Sequence, residues 1–310
     1  MTRHSMATSY KGILYAVITA VLFGVLAIAL KFSLSELTPA DITWFRFVLA
    51  FSMLALYYYF RKPEYLRILR RPPLILIIAT LCLSLNYYGF IEGLNLTTPS
   101  IAQIFIQLGP VLLAAAGFIF FRERITWRQI TGLFLVVAGL LIFYHEQFGL
   151  ILSGKGTWQT GVIWILVAAV AWAGYSVLLK IMVLKYPPIQ LNLVIFGLPV
   201  LLYFPFVNFG HFASLGLVGW LILIFLGLNT LFAYGLLSMA IQYVEANKVS
   251  VILILNPILT FALMAILSNS GATWIQHEQY TFITLLGAMI VLVGAVLTIF
   301  RKNNPAKTAG

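Results

Sequence analysis

The sequence predicts an all-α integral membrane protein of ten transmembrane helices, built as two inverted five-helix repeats with both termini cytoplasmic. Three observations lead there. The chain holds ten apolar runs, each near the ~20 residues that cross a bilayer, its basic residues crowd onto one set of loops, and its second half echoes its first at an offset close to 150 residues. Composition sets the frame: 62% of the 310 residues are hydrophobic and 9% charged, with mean hydropathy +1.02. Soluble domains carry roughly a quarter charged residues.

The runs cover residues 12–32, 42–60, 74–94, 99–121, 128–144, 159–179, 189–207, 217–240, 249–268 and 281–300. The first follows Arg3 and Lys11 and ends at Lys31 with no small-residue cleavage pattern, so it reads as a retained span. Pro39 precedes the second and Pro188 the seventh. The third carries the polar group Asn86, Tyr87, Tyr88 and Glu92. Pro110 interrupts the fourth and Pro257 the ninth at matching positions, which predicts paired kinks. Continuous runs such as Leu133 to Phe143 exclude the alternating pattern of a membrane β-barrel. The connections are too short for a soluble domain.

The net charge of +11 follows from topology. With the N-terminus cytoplasmic, Arg3, Lys11, Arg61, Lys62, Arg67, Arg70, Arg71, Arg122, Arg124, Arg128, Lys180, Lys185, Lys248, Arg301, Lys302 and Lys307 fall at one face. Only Lys31, Arg46 and Lys155 lie at or near the other. The asymmetry places both termini inside, which needs an even number of spans, and it removes the case for nucleic-acid binding. The lone cysteine, Cys82, sits inside a run, and His4, His145, His211 and His277 lie apart in tails or loops. No disulfide or metal cluster is expected, and the residues call for no cofactor. Trp44, Trp127, Trp158 and Trp274 near run ends suit an interfacial belt. The sequon Asn95–Thr97 lies in too short a loop against the membrane to be used.

A shift of 149 places Ala20, Val21, Leu30, Lys31, Pro39 and Phe47 onto Ala169, Val170, Leu179, Lys180, Pro188 and Phe196. A shift of 147 pairs Gly109-Pro110-Val111 with Asn256-Pro257-Ile258. One of 155 pairs Glu123, Thr126, Gly132 and Gly139 with Glu278, Thr281, Gly287 and Gly294. The repeats are read as residues 1–147 and 148–310. Five helices is an odd number, so the second half enters the membrane from the opposite side. Such pseudo-symmetry supplies two related conformations and a solute site near the midplane, which points to a transporter.

These residues resemble a known family. Phe23-Gly24 through Lys31, Pro39 followed by Arg46, the polar third run leading into Gly109-Pro110-Val111, and Glu123 through Gly132 look like one half of an EamA-type member of the drug/metabolite transporter superfamily. Trp172 to Lys180, Pro188, Pro257 and Glu278 to Gly287 repeat the pattern. The resemblance implies alternating access around a cavity lined by helices one, three, four, six, eight and nine. It also implies export of amino acids, other metabolites or organic cations across the bacterial inner membrane. Arg46 departs from the symmetry, since its counterpart is Ile195.

Polar groups within a bilayer are costly and are functional candidates by default. The substrate-binding candidates are Asn86, Tyr87, Tyr88, Gln103, Gln107, Trp172, Tyr175, Asn229, Tyr234 and Asn256. Tyr88 and Glu92, like Gln103 and Gln107, are four apart and share a helix face. Each has a bland alternative: the amides as links between helices, the aromatics as packing, Pro110 and Pro257 as static bends instead of hinges. Glu92, near its run's end, reads as an interfacial ion pair with Arg46 or Lys31, or as a proton or substrate group. Arg46 reads as an anchor whose stem lets its head snorkel outward, with substrate binding or an ion pair as the alternative.

The first run contains no acid, which leaves the first-helix proton route of the small drug exporters without its carboxylate. There is no GKS or GKT motif for direct ATP drive. The expected function is export of small metabolites, amino acids including aromatic ones or related amines. A drug or organic-cation exporter is the alternative of the same fold. An intramembrane lipid-modifying enzyme or a passive channel is the alternative of another class, and no catalytic cluster supports an enzyme. The expected partners are a small-molecule substrate and the lipid bilayer, with a monomer sufficient and a dimer admissible.

Overall fold

The computed structural model describes residues 3–121, 126–143, 145, 158–254, 256–269 and 281–299. Glu123, Glu278, Trp274 and His277 lie outside them. The described residues are helical throughout, without a strand. The chain runs α1 (Arg3–Ser33), α2 (Pro39–Arg61), α3 (Leu74–Leu96), α4 (Pro99–Ile106), α5 (Leu108–Ile119), α6 (Trp127–Phe143), α7 (Trp158–Met182) and α8 (Pro188–Tyr203). There follow the short α9 (Phe209–Ser214), then α10 (Leu217–Tyr243), α11 (Ala246–Leu253), α12 (Asn256–Asn269) and α13 (Phe282–Ile299). Short 3-10 turns cover Pro63–Leu69 and Phe204–Phe206.

Six helices are long and apolar enough to cross a membrane. They hold the first, second, third, sixth, seventh and eighth predicted runs. The fifth and tenth runs are α6 and α13. The fourth and ninth are each interrupted, as expected, at Gln107 and Ile254, whose backbones stay in the right-handed helical region. Proline explains both breaks. It donates no hydrogen bond to the carbonyl four residues earlier, and its ring collides with that carbonyl. Four residues before Pro110 is Ile106, the last of α4, and four before Pro257 is Leu253, the last of α11.

The helices are apolar all round, so what distinguishes their faces is size. On α1, Leu14, Val17, Ile18 and Val21 are exposed while Ala16, Ala20 and Ala27 are buried. On α7, Ile163, Val167 and Val170 are exposed while Ala168 and Ala169 are buried. Lipid is as apolar as leucine, so helix association rests on close packing, which small residues permit. Where α3 ends beside the start of α7, a Cβ on Gly93 would lie 2.8 Å from the Gly161 carbonyl oxygen.

Contacts at the helix ends give the topology. Lys31 Nζ, at the end of α1, donates to the carbonyls of Leu94 and Thr97 at the end of α3, at 3.0 and 2.9 Å. Lys180 Nζ, at the end of α7, donates to Ile241 and Val244 at the end of α10, both at 2.8 Å. The end of α3 meets the start of α7 through Gly93 and Gly161, and the end of α10 meets the start of α1 through Val244 and Gly12. So α1 runs parallel to α3, α7 parallel to α10, and the two pairs run oppositely. That is inversion, read from contacts. The pairing is reciprocal too: α1 packs on α10, and α3 on α7. Cross-links match as well. Asn86 Nδ2 donates to the Ala168 carbonyl at 2.9 Å, and Thr19 Oγ1 to the Ala233 carbonyl at 3.3 Å.

The connection between α2 and the second half is polar. Thr38 caps α2 in a box with Asp41, with Pro39 in the first turn. The covered Asp41 carboxylate also accepts from the Asn208 backbone N–H at 2.8 Å and contacts His211 Nδ1 at 2.7 Å. Asp41 stands one residue outside the second apolar run, so hydropathy does not mark it.

Candidate functional site

The two breaks border one cavity. Its wall comes from Phe23 and Leu26 of α1, Asn86 and Phe90 of α3, and Gln103 and Ile106 of α4. Gln107, Pro110 of α5, Trp172 of α7, Tyr234 of α10, Leu253 of α11 and Asn256 of α12 complete it. The wall carries no acid and no base. Ile106 and Leu253, the last residues before the breaks, both belong to it, so the prolines position the site.

Four amides reach the cavity, and three keep a carbonyl oxygen that is buried without a hydrogen-bond partner: Gln103 Oε1, Gln107 Oε1 and Asn256 Oδ1. Such acceptors are expensive to leave unsatisfied and mark a place for a donor. Asn86 differs, since its Nδ2 is held by the Ala168 carbonyl. The rest of the wall is aromatic. Trp172 approaches α5 closely where residue 109 is glycine: a Cβ there would sit 3.1 Å from Trp172 Cε3. Tyr234 packs its ring 5.3 Å from Phe23.

Behind this wall lies a layer of tyrosine. The Tyr87 ring is 5.3 Å and the Tyr175 ring 6.1 Å from Tyr234, and both hydroxyls are buried without a partner. Tyr87 also stacks on Phe47 at 4.5 Å, and Phe47 faces its repeat counterpart Phe196 at 6.4 Å. Tyr87 and Tyr234 are themselves counterparts, 147 residues apart.

Of the sequence candidates, the cavity therefore gathers Asn86, Gln103, Gln107, Trp172, Tyr234 and Asn256, with Pro110. Tyr87 and Tyr175 stand directly behind it. Tyr88 and Asn229 are not in its wall. Tyr88 turns toward Trp164 and Tyr203, with ring distances of 5.7 and 6.4 Å. Asn229 spends its Nδ2 on the Leu22 carbonyl at 2.8 Å, tying α10 to α1. Pro257 sits one residue past the wall.

Two expectations are corrected. Arg46 does not snorkel: it is 2% exposed because α10 covers it, and its Nε donates to Thr230 Oγ1 at 2.9 Å. Glu92 makes no ion pair with Arg46 or Lys31 among the described residues; Lys31 is instead spent on helix-end carbonyls. The sequence reading missed Phe23, Leu26, Phe90, Ile106 and Leu253 as wall residues. One signal was present, since Phe23 is the repeat counterpart of Trp172.

The model of the EamA-like transporter family matches residues 10–145 and again 159–300. An uncharacterized transporter of Haemophilus influenzae is 32% identical over 289 residues, covering 93% of this chain and 94% of its own length. The uncharacterized inner membrane transporter YhbE of Escherichia coli is 30% identical over 288 residues, covering 92% and 90%. A protein of Salmonella typhimurium named "probable amino-acid metabolite efflux pump" is 23% identical, covering 95% and 97%.

Proposed function

This chain belongs to the EamA-like transporter family, and from that premise we propose that it exports small zwitterionic metabolites, aromatic amino acids foremost, across the bacterial inner membrane. It is a membrane transporter and not an enzyme. The observation that carries the substrate reading is the cavity wall: three unpartnered amide oxygens beside Phe23, Phe90, Trp172 and Tyr234, with no formal charge. Amide oxygens accept from an ammonium group, and the rings take an apolar or aromatic side chain. Multiply anionic solutes would need several arginines or lysines in the wall. The name of the Salmonella relative is consistent with this choice.

In this reading residues 1–147 and 148–310 are the halves that rock against each other, and the termini lie in the cytoplasm with the basic loops. α5 packs along α11 at the face where α1 begins, whereas α4 and α12 touch only marginally toward the other face. That asymmetry fits a carrier closed to the cytoplasm and open outward, with the proline breaks at Gln107 and after Ile254 as hinges. Related amines and organic cations are the second reading, favoured by the same rings through cation–π contact.

Counterflow in proteoliposomes tests it. Liposomes preloaded with one amino acid should accumulate label from outside faster than protein-free liposomes. No accumulation across a broad panel of amino acids and amines would sink the carrier reading.

A further inference from the structure

Between α2, α3 and α10, one layer behind the cavity, lies a cation without an anion. Arg46 is buried, its Nε is bonded to Thr230 Oγ1, and its Cζ lies 4.4 Å over the Tyr87 ring. Its Nη2 is buried with no partner. Among the described residues no acid pairs with Arg46; Asp41 faces His211 and Glu245 faces Lys248. A guanidinium keeps its proton inside a protein, so it cannot escape the cost of burial by becoming neutral, as a lysine can. Within a membrane-spanning helix such a group ordinarily faces a counter-ion, an ion path or a substrate. A residue that only joins α2 to α10 would have no use for a buried, unpaired Nη2.

The barrier between this guanidinium and the cavity is thin. Tyr234 is part of the cavity wall, Tyr87 is 5.3 Å behind it, and Arg46 lies on Tyr87. Thr230 and Tyr234 are four apart on the same face of α10, so the bond that holds Arg46 and the ring that screens it belong to one helix surface. The partners span both halves: Arg46 and Tyr87 come from the first, Thr230 and Tyr234 from the second. The counterpart of Arg46 is Ile195, so the guanidinium is single.

We infer that Arg46 is the carboxylate subsite of this cavity. A substrate carboxylate enters between the Tyr87 and Tyr234 rings and takes Nη2, while the substrate ammonium lies against the amide oxygens of Gln103, Gln107 and Asn256. One guanidinium and a neutral wall match one carboxylate and one ammonium. This rests on the carrier reading above and narrows it, because it selects amino acids over the amines and organic cations that the aromatic wall alone would also admit. The charge placed at Arg46 touches both halves at once, so binding there bears on the rocking step and not only on affinity.

The test compares phenylalanine, tyrosine and leucine with the amine that each becomes on losing its carboxylate, in counterflow and in ligand-induced stabilisation of the purified full chain. Wild type should exchange each acid at least tenfold faster than its amine. Arg46→Met should lose tenfold or more of the acid exchange, keep the amine exchange, and lose the acid-induced rise in melting temperature. Equal exchange of acid and amine by wild type, or equal loss of both in Arg46→Met, overturns the inference and leaves the carrier standing. Should Arg46→Met not fold, Arg46→Lys replaces it: weakened acid exchange with unchanged amine exchange supports the subsite, and parallel loss overturns it. Wild type that neither exchanges nor is stabilised by any of the six compounds sinks the carrier reading itself for this panel, and the subsite with it.

Discussion

Gly139 and Gly287 touch backbone to backbone where α6 crosses α13: a Cβ on Gly139 would lie 2.9 Å from the Gly287 carbonyl oxygen and 2.8 Å from the Val291 amide nitrogen. The crossing is reciprocal, since a Cβ on Gly294 would meet the Gly132 carbonyl oxygen at 2.6 Å and the Val136 amide nitrogen at 2.8 Å. Gly139 and Gly294 are repeat counterparts, as are Gly132 and Gly287. The pair of helices therefore crosses on the pseudo-symmetry axis. Backbone cannot swing aside as a side chain can, so Gly139→Ala or Gly294→Ala should destabilise by roughly 1–3 kcal/mol, as overpacking does. Thermal unfolding in detergent should show a lower midpoint for either variant, with the acid-to-amine preference unchanged. An unchanged midpoint would mean that the helices separate freely.

Lys31 and Lys180 do the same work at opposite faces, each closing the C-terminal carbonyls of the third helix of its own repeat. Charge-assisted bonds of this kind contribute about 1.5–3 kcal/mol each to stability. Lys31→Met and Lys180→Met should lower the unfolding midpoint by similar amounts. A large effect from one and none from the other would contradict the equivalence.

Asp41 gathers the α2 cap and the α8–α10 connection on one carboxylate. Asp41→Ala leaves the Asn208 N–H and the Thr38 cap without this acceptor and should lower the unfolding midpoint by the loss of hydrogen bonds to a charged group. Asp41→Asn keeps one carbonyl oxygen and should retain part of the stability. The ranking wild type, Asn, Ala in unfolding midpoint is the expected result.

Pro110→Ala restores a donor opposite the Ile106 carbonyl, and Pro257→Ala one opposite Leu253. Each substitution should join the two half-helices, raise the unfolding midpoint and slow counterflow several-fold, if the breaks are hinges. Counterflow at the wild-type rate would make them static bends.

Gln107→Leu and Asn256→Leu each remove a cavity amide while nearly keeping its volume. Losing one hydrogen bond to a charged substrate group corresponds to about 1.5–3 kcal/mol, or roughly tenfold or more in half-saturation concentration. Tyr88→Phe and Asn229→Leu provide the contrast, since neither residue is in the wall. Their half-saturation should stay within twofold of wild type, although Asn229→Leu should lower stability by freeing the Leu22 carbonyl.

Much of this architecture was legible before any coordinates. An apolar run of about 20 residues is a one-dimensional signal, and apart from α1, which begins at Arg3 and not near residue 12, the spans start and stop within a few residues of the expected positions. Gln103 and Gln107 were legible as a shared face because four residues make about one turn. Tyr87 and Tyr88 were not separable. Neighbours on a helix point about 100° apart, and a span that is apolar on every side offers no polar face by which to orient it. Arg46 failed for a related reason. Its place near a run's start suggested exposure, but whether an end is exposed depends on what packs over it, and α10 comes from almost 200 residues away.

The sequence by itself determined the spans, their duplication and, through the odd helix count, their inversion. These depend only on hydrophobic length and on order along the chain, which lipid reads directly. The tertiary structure alone decided which polar groups turn into the cavity, which are spent on a neighbouring helix's carbonyl, as Asn229 and Lys31 are, and which are left buried and unpaired, as Arg46 Nη2 is. In a uniformly apolar helix the azimuth is set by where small residues let another backbone approach, and that is a property of two helices together.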